Sequence, residues 1–168
     1  GKHNFPRFTR SGPRRQSAWT TTLAYVRAHR GEFVFEDHET PWSVMAPGIE
    51  IDITNFPRYH GQARFTGGLV SIQRYEPMWA NFTADFSIDG GTLSLPRIEM
   101  ETDGAQSTAV GSVDMDHWPE MTYLVKSRLH FPRMREIFFA RERWDLSGDG
   151  DFTGVFRLFK GGHDHAGH

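Results

Sequence analysis

Met78–Asp89, MWANFTADFSID, is the stretch of the sequence whose alternation decides the fold. Every second residue from Met78 to Ile88 is apolar and the residues between are mostly polar, which is typical of a strand with one apolar and one polar face. Asp89-Gly90-Gly91 then predicts a tight hairpin into Thr92–Leu95, because glycine tolerates positive φ. The same alternation recurs over Ile49–Thr54 and Met121–His130, so the chain is predicted to be all-β.

Further short strands and one helix complete this pattern. The remaining strand candidates are Thr21–Ala28, Glu32–Glu36, Trp42–Met45, Gln62–Thr66, Leu69–Arg74, Ile98–Thr102, Ser107–Met115 and Asp151–Phe159. Turns are predicted at Arg30-Gly31, Pro47-Gly48, Gly67-Gly68, Asp103-Gly104 and Ser147-Gly148. Pro132–Ala140 is predicted to be a short helix that caps one edge or end of the sheet, because Pro suits a first turn and Met134, Ile137 and Phe138 share one side.

Consecutive strands joined by short turns indicate an antiparallel meander. We expect a curved open sheet whose apolar side forms a groove; the alternative is a closed β-sandwich that buries this side. An open apolar sheet surface invites aggregation unless something apolar occupies it.

Composition and charge exclude several classes of protein. The chain has no Cys, which removes disulfides and thiolate metal sites, and no apolar run approaches the roughly 20 residues of a membrane-spanning helix. Residues 1–30 carry seven basic and no acidic residues, which leaves 12 basic against 21 acidic in the remainder. We interpret residues 1–18 as a basic flexible arm or linker, 19–160 as the β domain and 161–168 as a His-rich tail, and we expect no nucleic acid partner.

Two segments resemble metal sites without completing them. Asp145–Asp151 begins like a calcium loop, but Phe156 stands where the bidentate Glu belongs. Gly162–His168 offers imidazoles on a chain end without a rigid scaffold. We therefore expect no metal and no cofactor.

The sequence shows no converging catalytic residues, so we do not expect an enzyme. The carboxylate pairs Glu99/Glu101 and Asp114/Asp116 are best interpreted as the solvated side of half-buried strands. A different function, a β-sandwich module that binds carbohydrate or serves a structural role, needs an exposed aromatic platform, for which Trp79 on the polar side is the best candidate.

The order of the segments resembles the periplasmic repeats of the AsmA-like and TamB-like proteins. The segments that carry this resemblance are Tyr25–Val44, Gly48–Ile53, Tyr59–Ile72, Phe86–Leu93, Gly111–Met115 and Leu146–Gly162. The resemblance implies a periplasmic protein, anchored in the inner membrane by a segment absent here, whose apolar β-groove carries phospholipid acyl chains for outer-membrane biogenesis. We expect this sequence to be a repeat fragment of a longer parent chain, with neighbouring repeats as partners and membrane contact only through that parent.

The residues expected to face the groove supply apolar surface and no chemistry. They are Phe33, Phe35, Ile49, Ile51, Ile53, Phe82, Phe86, Ile88, Val113, Tyr123 and Val125. Acyl chains gain about 0.8 kcal/mol per buried CH₂ without any specific polar contact. The same side chains would fill a dry core if the sheet were a closed sandwich.

Overall fold

A computed structural model of the chain describes residues 24–37, 42–55, 58–72, 75–117, 120–143, 145–159 and 162–168, without the side chains of 35–37, 42, 162 and 163. These residues form nine strands and one helix. The elements are β1 (Tyr25–Asp37), β2 (Trp42–Asn55), β3 (Tyr59–Ile72), β4 (Met78–Asp89), β5 (Thr92–Thr102), β6 (Ala105–Asp114), β7 (Met121–His130), α1 (Phe131–Phe138), β8 (Asp149–Phe159) and β9 (Gly162–Gly167). The whole of the predicted arm, residues 1–18, lies outside the described part of the chain, together with residues 19–23.

The strands form one antiparallel meander in the order β1 to β9. Each strand pairs with its neighbours along the chain, and β1 and β9 are the two edges, so the sheet is not closed. The prediction of an all-β open sheet with one short helix is confirmed, and the described residues do not form the alternative closed sandwich.

Three of the predicted turns are bulges inside long strands. Arg30, Gly48 and Gly67 have φ of 55°, 68° and 72°. Each lies within β1, β2 or β3, and the pairing register shifts beside Arg30 and Gly67. The predicted pairs of short strands are therefore single strands of 13 or 14 residues. The sequence prediction was wrong here because a residue with positive φ can end a strand or bulge it, and only the pairing partner decides which.

The turns at Asp89-Gly90-Gly91 and Asp103-Gly104 do reverse the chain, as predicted. Each joins two strands that pair directly, β4 with β5 and β5 with β6. Thr92–Leu95 and Ile98–Thr102 were predicted separately, and they form one strand with a register shift between Leu95 and Ile98.

Helix α1 lies at one end of the sheet. It begins one residue before the predicted start and ends two residues before the predicted end, with Pro132 in its first turn. Ile137 is buried, and the Phe138 ring packs edge-on against Tyr75 with centroids 5.0 Å apart. Arg133 holds the β5–β6 turn through an ion pair with Asp103, N to O 2.6 Å.

The sheet is a single layer with little fully buried side-chain volume. Among the described residues the buried hydrophobic ones are Ala46, Met78, Ala80, Ala84, Val113 and Ile137. No large side chain is completely enclosed in this part of the chain. The segment interpreted as a His-rich tail contributes an edge strand, since Gly162–Gly167 pair with β8 as β9.

Candidate functional site

Cross-strand pairing sorts the strand residues into an apolar face and a polar face. Residues directly opposite each other in an antiparallel sheet point to the same side. One such row runs Phe82, Met100, Ser107, Ser127, Phe152 across β4 to β8. A second row on the same side runs Ile88, Leu93, Val113, Met121, Leu158. The apolar face is the side that contains these two rows, and the polar face is the opposite side.

The register places every residue expected to face a groove on this apolar face. The row Val26, Ile53, Gly61, Phe86 crosses β1 to β4, and Ile51 and Ile49 pair with Ala28 and Gly31. Tyr123 pairs with Gly111, Val125 with Ala109, and Phe33 with Ala46. Phe35 pairs with Val44, but its side chain lies outside the described part.

These residues share a face without forming one cluster. They come from β1, β2, β4, β6 and β7, and six strand spacings separate β1 from β7, about 29 Å. The structure therefore assembles a broad apolar surface and not a compact pocket.

Sequence reasoning missed the contributions of β3, β5 and β8 to the apolar face. The large side chains added by these strands are Tyr59, Phe65, Val70, Ile72, Leu93, Leu95, Ile98, Met100, Phe152, Phe156 and Leu158. The alternation is weak in β3 and β8 because glycine and alanine occupy several apolar-face positions there. Bulges also shift the period by one residue, which hides the pattern in β3 and β5.

Glycines on the apolar face lie beneath aromatic rings. A Cβ built on Gly61 would come within 3.0 Å of the Phe86 ring, and one on Gly68 within 2.6 Å of Phe65. Gly111 and Gly150 are covered in the same way by Tyr123 and Phe131, so closely that a Cβ would overlap the ring. Gly154 and Gly167 share the Phe152 ring, 2.5 Å from a Cβ on either glycine. The rings thus lie against the backbone, as in the aromatic cover of glycine known from designed sheets.

Two polar side chains in the middle of the apolar face satisfy each other. The Ser107 and Ser127 hydroxyls form a hydrogen bond of 2.8 Å with each other. Phe65 and Phe82 stack at 5.3 Å with nearly parallel rings. Burial raises the pKa of Tyr123, which therefore remains neutral at ordinary pH.

The apolar face has no second layer over it in the described part of the chain. Phe33 is 40% exposed, Tyr59 39% and Phe156 37%, although all three belong to this face. Extensive contacts between strands join only strands consecutive in sequence, as expected for a single sheet. Large contiguous apolar surface of this kind marks an interaction site in a folded protein.

The polar face is tied together by a ladder of charged and amide groups. Arg27 pairs with Asp52, and the Gln62 amide donates to Asp85 at 2.8 Å. Arg97 lies 3.6 Å from Asp85 and 2.8 Å from Glu99. Apart from Glu99, these partners lie directly opposite each other over β1 to β5. A one-residue slip of any of these strands would break the row and move that strand's apolar side chains to the polar face.

Glu50 pairs with Arg64 inside β2 and β3, and several other ion pairs occupy turns and strand ends. Asp149, inside the calcium-like segment, contacts His130 at 2.9 Å and Arg128 at 3.6 Å, which lowers the pKa of its carboxyl. Asp114 raises the pKa of His117 through a hydrogen bond of 2.9 Å. In the residues that the structure describes, no three His, Asp or Glu side chains are grouped so that they could hold a metal ion.

Comparison of the chain with protein-family models, curated proteins and solved structures finds no match. The described residues also contain no helix long and apolar enough to cross a membrane.

Proposed function

We propose that the apolar face of this sheet carries phospholipid acyl chains, as one segment of a longer periplasmic protein attached to the inner membrane. The likeness of the strand and glycine-turn order to the AsmA-like and TamB-like repeats supports the cellular setting. Neighbouring repeats of the parent chain would then continue the surface beyond β1 and β9.

One observation carries this proposal: the continuous, uncovered apolar face. At the apolar-face positions from Val26 on β1 to Leu158 on β8, the described side chains include no Lys, Arg, Asp or Glu. The opposite face carries the ionic ladder. An acyl chain is stabilised by apolar contact alone, so it can slide across such a surface without breaking specific bonds.

The dimensions of the face suit extended chains. Nine strands at about 4.8 Å spacing span roughly 38 Å across the strands. The hydrocarbon core of a bilayer, which holds two opposed chains, is about 30 Å thick, so a single chain is roughly 15 Å long. One segment can therefore cover whole acyl chains.

The experiment compares two charge insertions on the same strand. Phe86→Glu places a carboxylate on the apolar face, whereas Ser87→Glu places it on the polar face next to it. We expect phospholipid bound from phosphatidylethanolamine/phosphatidylglycerol vesicles, counted by native mass spectrometry, to fall at least about tenfold in Phe86→Glu, because burying a carboxylate among acyl chains costs several kcal/mol. Ser87→Glu should bind as the unaltered chain does.

Two outcomes would contradict the proposal. One is equal lipid binding by both variants, with folding of both verified by circular dichroism. The other is a lipid-free dimer in light scattering that Phe86→Glu dissociates, because the apolar face would then be covered by a second copy.

A further inference from the structure

The polar face contains a trough that the acyl-chain proposal does not use. It has a volume of about 730 Å³ and crosses β4 to β8. Its lining consists of residues 81–83, 99–101, 106–108, 126–128 and 151–153. The side chain of the middle residue in each triplet belongs to the apolar face. The backbone of these middle residues therefore forms the floor of the trough, and the polar-face side chains of the residues before and after them form its two walls.

The first wall is a row of five planar hydrogen-bonding side chains. Asn81, Glu101, Gln106, Arg128 and Asp151 lie directly opposite one another on consecutive strands. Four strand spacings give this row a length of about 19 Å. Amide, carboxylate and guanidinium groups all offer two in-plane hydrogen-bonding sites, which suits neighbouring hydroxyl groups on a ligand.

The second wall adds hydroxyl groups and a cation. It is formed by Thr83, Glu99, Thr108, Lys126 and Thr153. Some groups in the walls are already engaged: the Asn81 amide donates to Glu101 at 3.2 Å and accepts from the Gly67 N–H at 2.9 Å. In the part of the chain that the structure describes, Gln106, Lys126 and Asp151 form no hydrogen bond or ion pair through their side chains.

An exposed indole lies on the same face of β4 as the trough, one row outside its first wall. Trp79 is two residues before Asn81 on the same face and is 41% exposed. Leu69 lies directly opposite Trp79 on the neighbouring strand β3 and is also exposed. An aromatic ring beside a polar cleft gives a flat apolar surface next to hydrogen-bonding groups, the combination that an amphipathic sugar ring requires.

We propose that this trough binds a neutral oligosaccharide, with Trp79 stacking against one sugar ring and the two walls hydrogen-bonding to the hydroxyls. Each sugar hydroxyl is both donor and acceptor, and the walls supply both kinds of group. The two walls together carry three carboxylates and two cations. This excess of negative charge disfavours phosphates and other anionic polymers. The proposal does not depend on lipid binding, because it concerns the opposite face of the sheet.

The test titrates the isotope-labelled chain with cellotetraose, maltotetraose and chitotetraose and follows backbone amide shifts by NMR. At least one tetrasaccharide should shift amides of the trough strands β4 to β8 and leave β1 unchanged. Trp79→Ala should weaken binding about tenfold and Gln106→Ala severalfold. Tyr25→Ala is the matched control, since Tyr25 is an exposed aromatic residue of β1, outside the trough, and it should leave the affinity unchanged.

The proposal is overturned if none of the three sugars shifts the trough amides at millimolar concentration. It is also overturned if Gln106→Ala and Trp79→Ala both bind as tightly as the unaltered chain, or if tetragalacturonate, an anionic oligosaccharide, binds and the neutral ones do not. If Trp79→Ala fails to fold, Gln106→Ala alone decides, because its exposed side chain has no partner in the described residues.

Discussion

Single glycines shape the apolar face, because each leaves room for a ring to lie flat against the backbone. At Gly111 a Cβ would overlap the Tyr123 ring and crowd the Thr122 carbonyl. Such contacts hold these aromatic rings close to the backbone of the sheet. The Phe65 ring, which covers Gly68, also stacks against the Phe82 ring at 5.3 Å between centroids.

Gly111→Ala tests this role of glycine. In an open strand position, replacing Gly with Ala stabilises by about 0.5–1 kcal/mol, because less backbone entropy is lost on folding. Here the added methyl must displace the Tyr123 ring, so we expect a loss of about 1–3 kcal/mol in the free energy of unfolding by urea. Ser112→Ala, on the polar face beside it, is the control and should change stability by less than about 0.5 kcal/mol. A higher midpoint for Gly111→Ala would show that the ring does not constrain this position.

At the scale of elements, α1 is held to the sheet by a few side chains. Arg133 pairs with Asp103 in the β5–β6 turn and with Glu136 in its own helix, at 2.6 and 2.5 Å. The hydrogen bond from Arg133 lowers the pKa of Asp103 below its usual value. A helix of eight residues is too short to be stable by itself, so it depends on these contacts and on Ile137.

The anchoring of α1 should therefore weaken in acid. Because the pKa of Asp103 is lower in the folded state than its unfolded value of about 4, the ion pair stabilises fully above that pH and its contribution is lost as pH falls through the folded-state pKa. Asp103→Asn should abolish this dependence on pH. It should also lower the stability of the docked helix by about 0.5 kcal/mol near neutral pH, as expected for a largely screened ion pair. Hydrogen exchange of the α1 amides measures both effects.

A control variant distinguishes the two partners of Arg133. Glu136→Gln removes only the pair within the helix, so exchange should keep its dependence on acid. If Asp103→Asn leaves α1 as protected as before, the helix is held by apolar packing alone.

At the scale of the whole molecule, the residues that the structure describes form a single-layer sheet, which is stabilised by contacts between neighbouring strands and encloses no core of its own. The polar ladder and the apolar face both depend on correct register, because a slip of one residue would exchange the two faces. Such a sheet gains stability from whatever covers its apolar face, since a ligand that binds only the folded state shifts the unfolding equilibrium.

Removal of residues 1–17 should leave the sheet intact. This segment has one sign of charge and no apolar periodicity, so the sequence predicts that it contributes little to folding. We expect the thermal midpoint of the shortened chain to stay within about 2 °C of the full chain. A drop of several degrees would indicate that Phe5 or Phe8 packs on the sheet.

The strand class, the meander and the hairpin at Asp89–Gly91 could be predicted from the sequence. Alternation and turn chemistry are local, so a strand such as Met78–Asp89 displays its two faces in its own residues. The predicted groove residues came from the strands where this alternation is strongest. The sequence could therefore predict which face of its strand a residue lies on, but not which residues of other strands surround it.

Tertiary structure alone decided whether Gly48 and Gly67 turn the chain or bulge it, whether the sheet closes, and which residues of different strands meet. A positive φ fits both a turn and a bulge, and only the partner strand distinguishes them. Closure depends on sheet curvature summed over nine strands, which no single segment contains. The trough rows illustrate the same limit: Asn81 and Asp151 are 70 positions apart in sequence, and only the register of four strand pairs brings them into one wall.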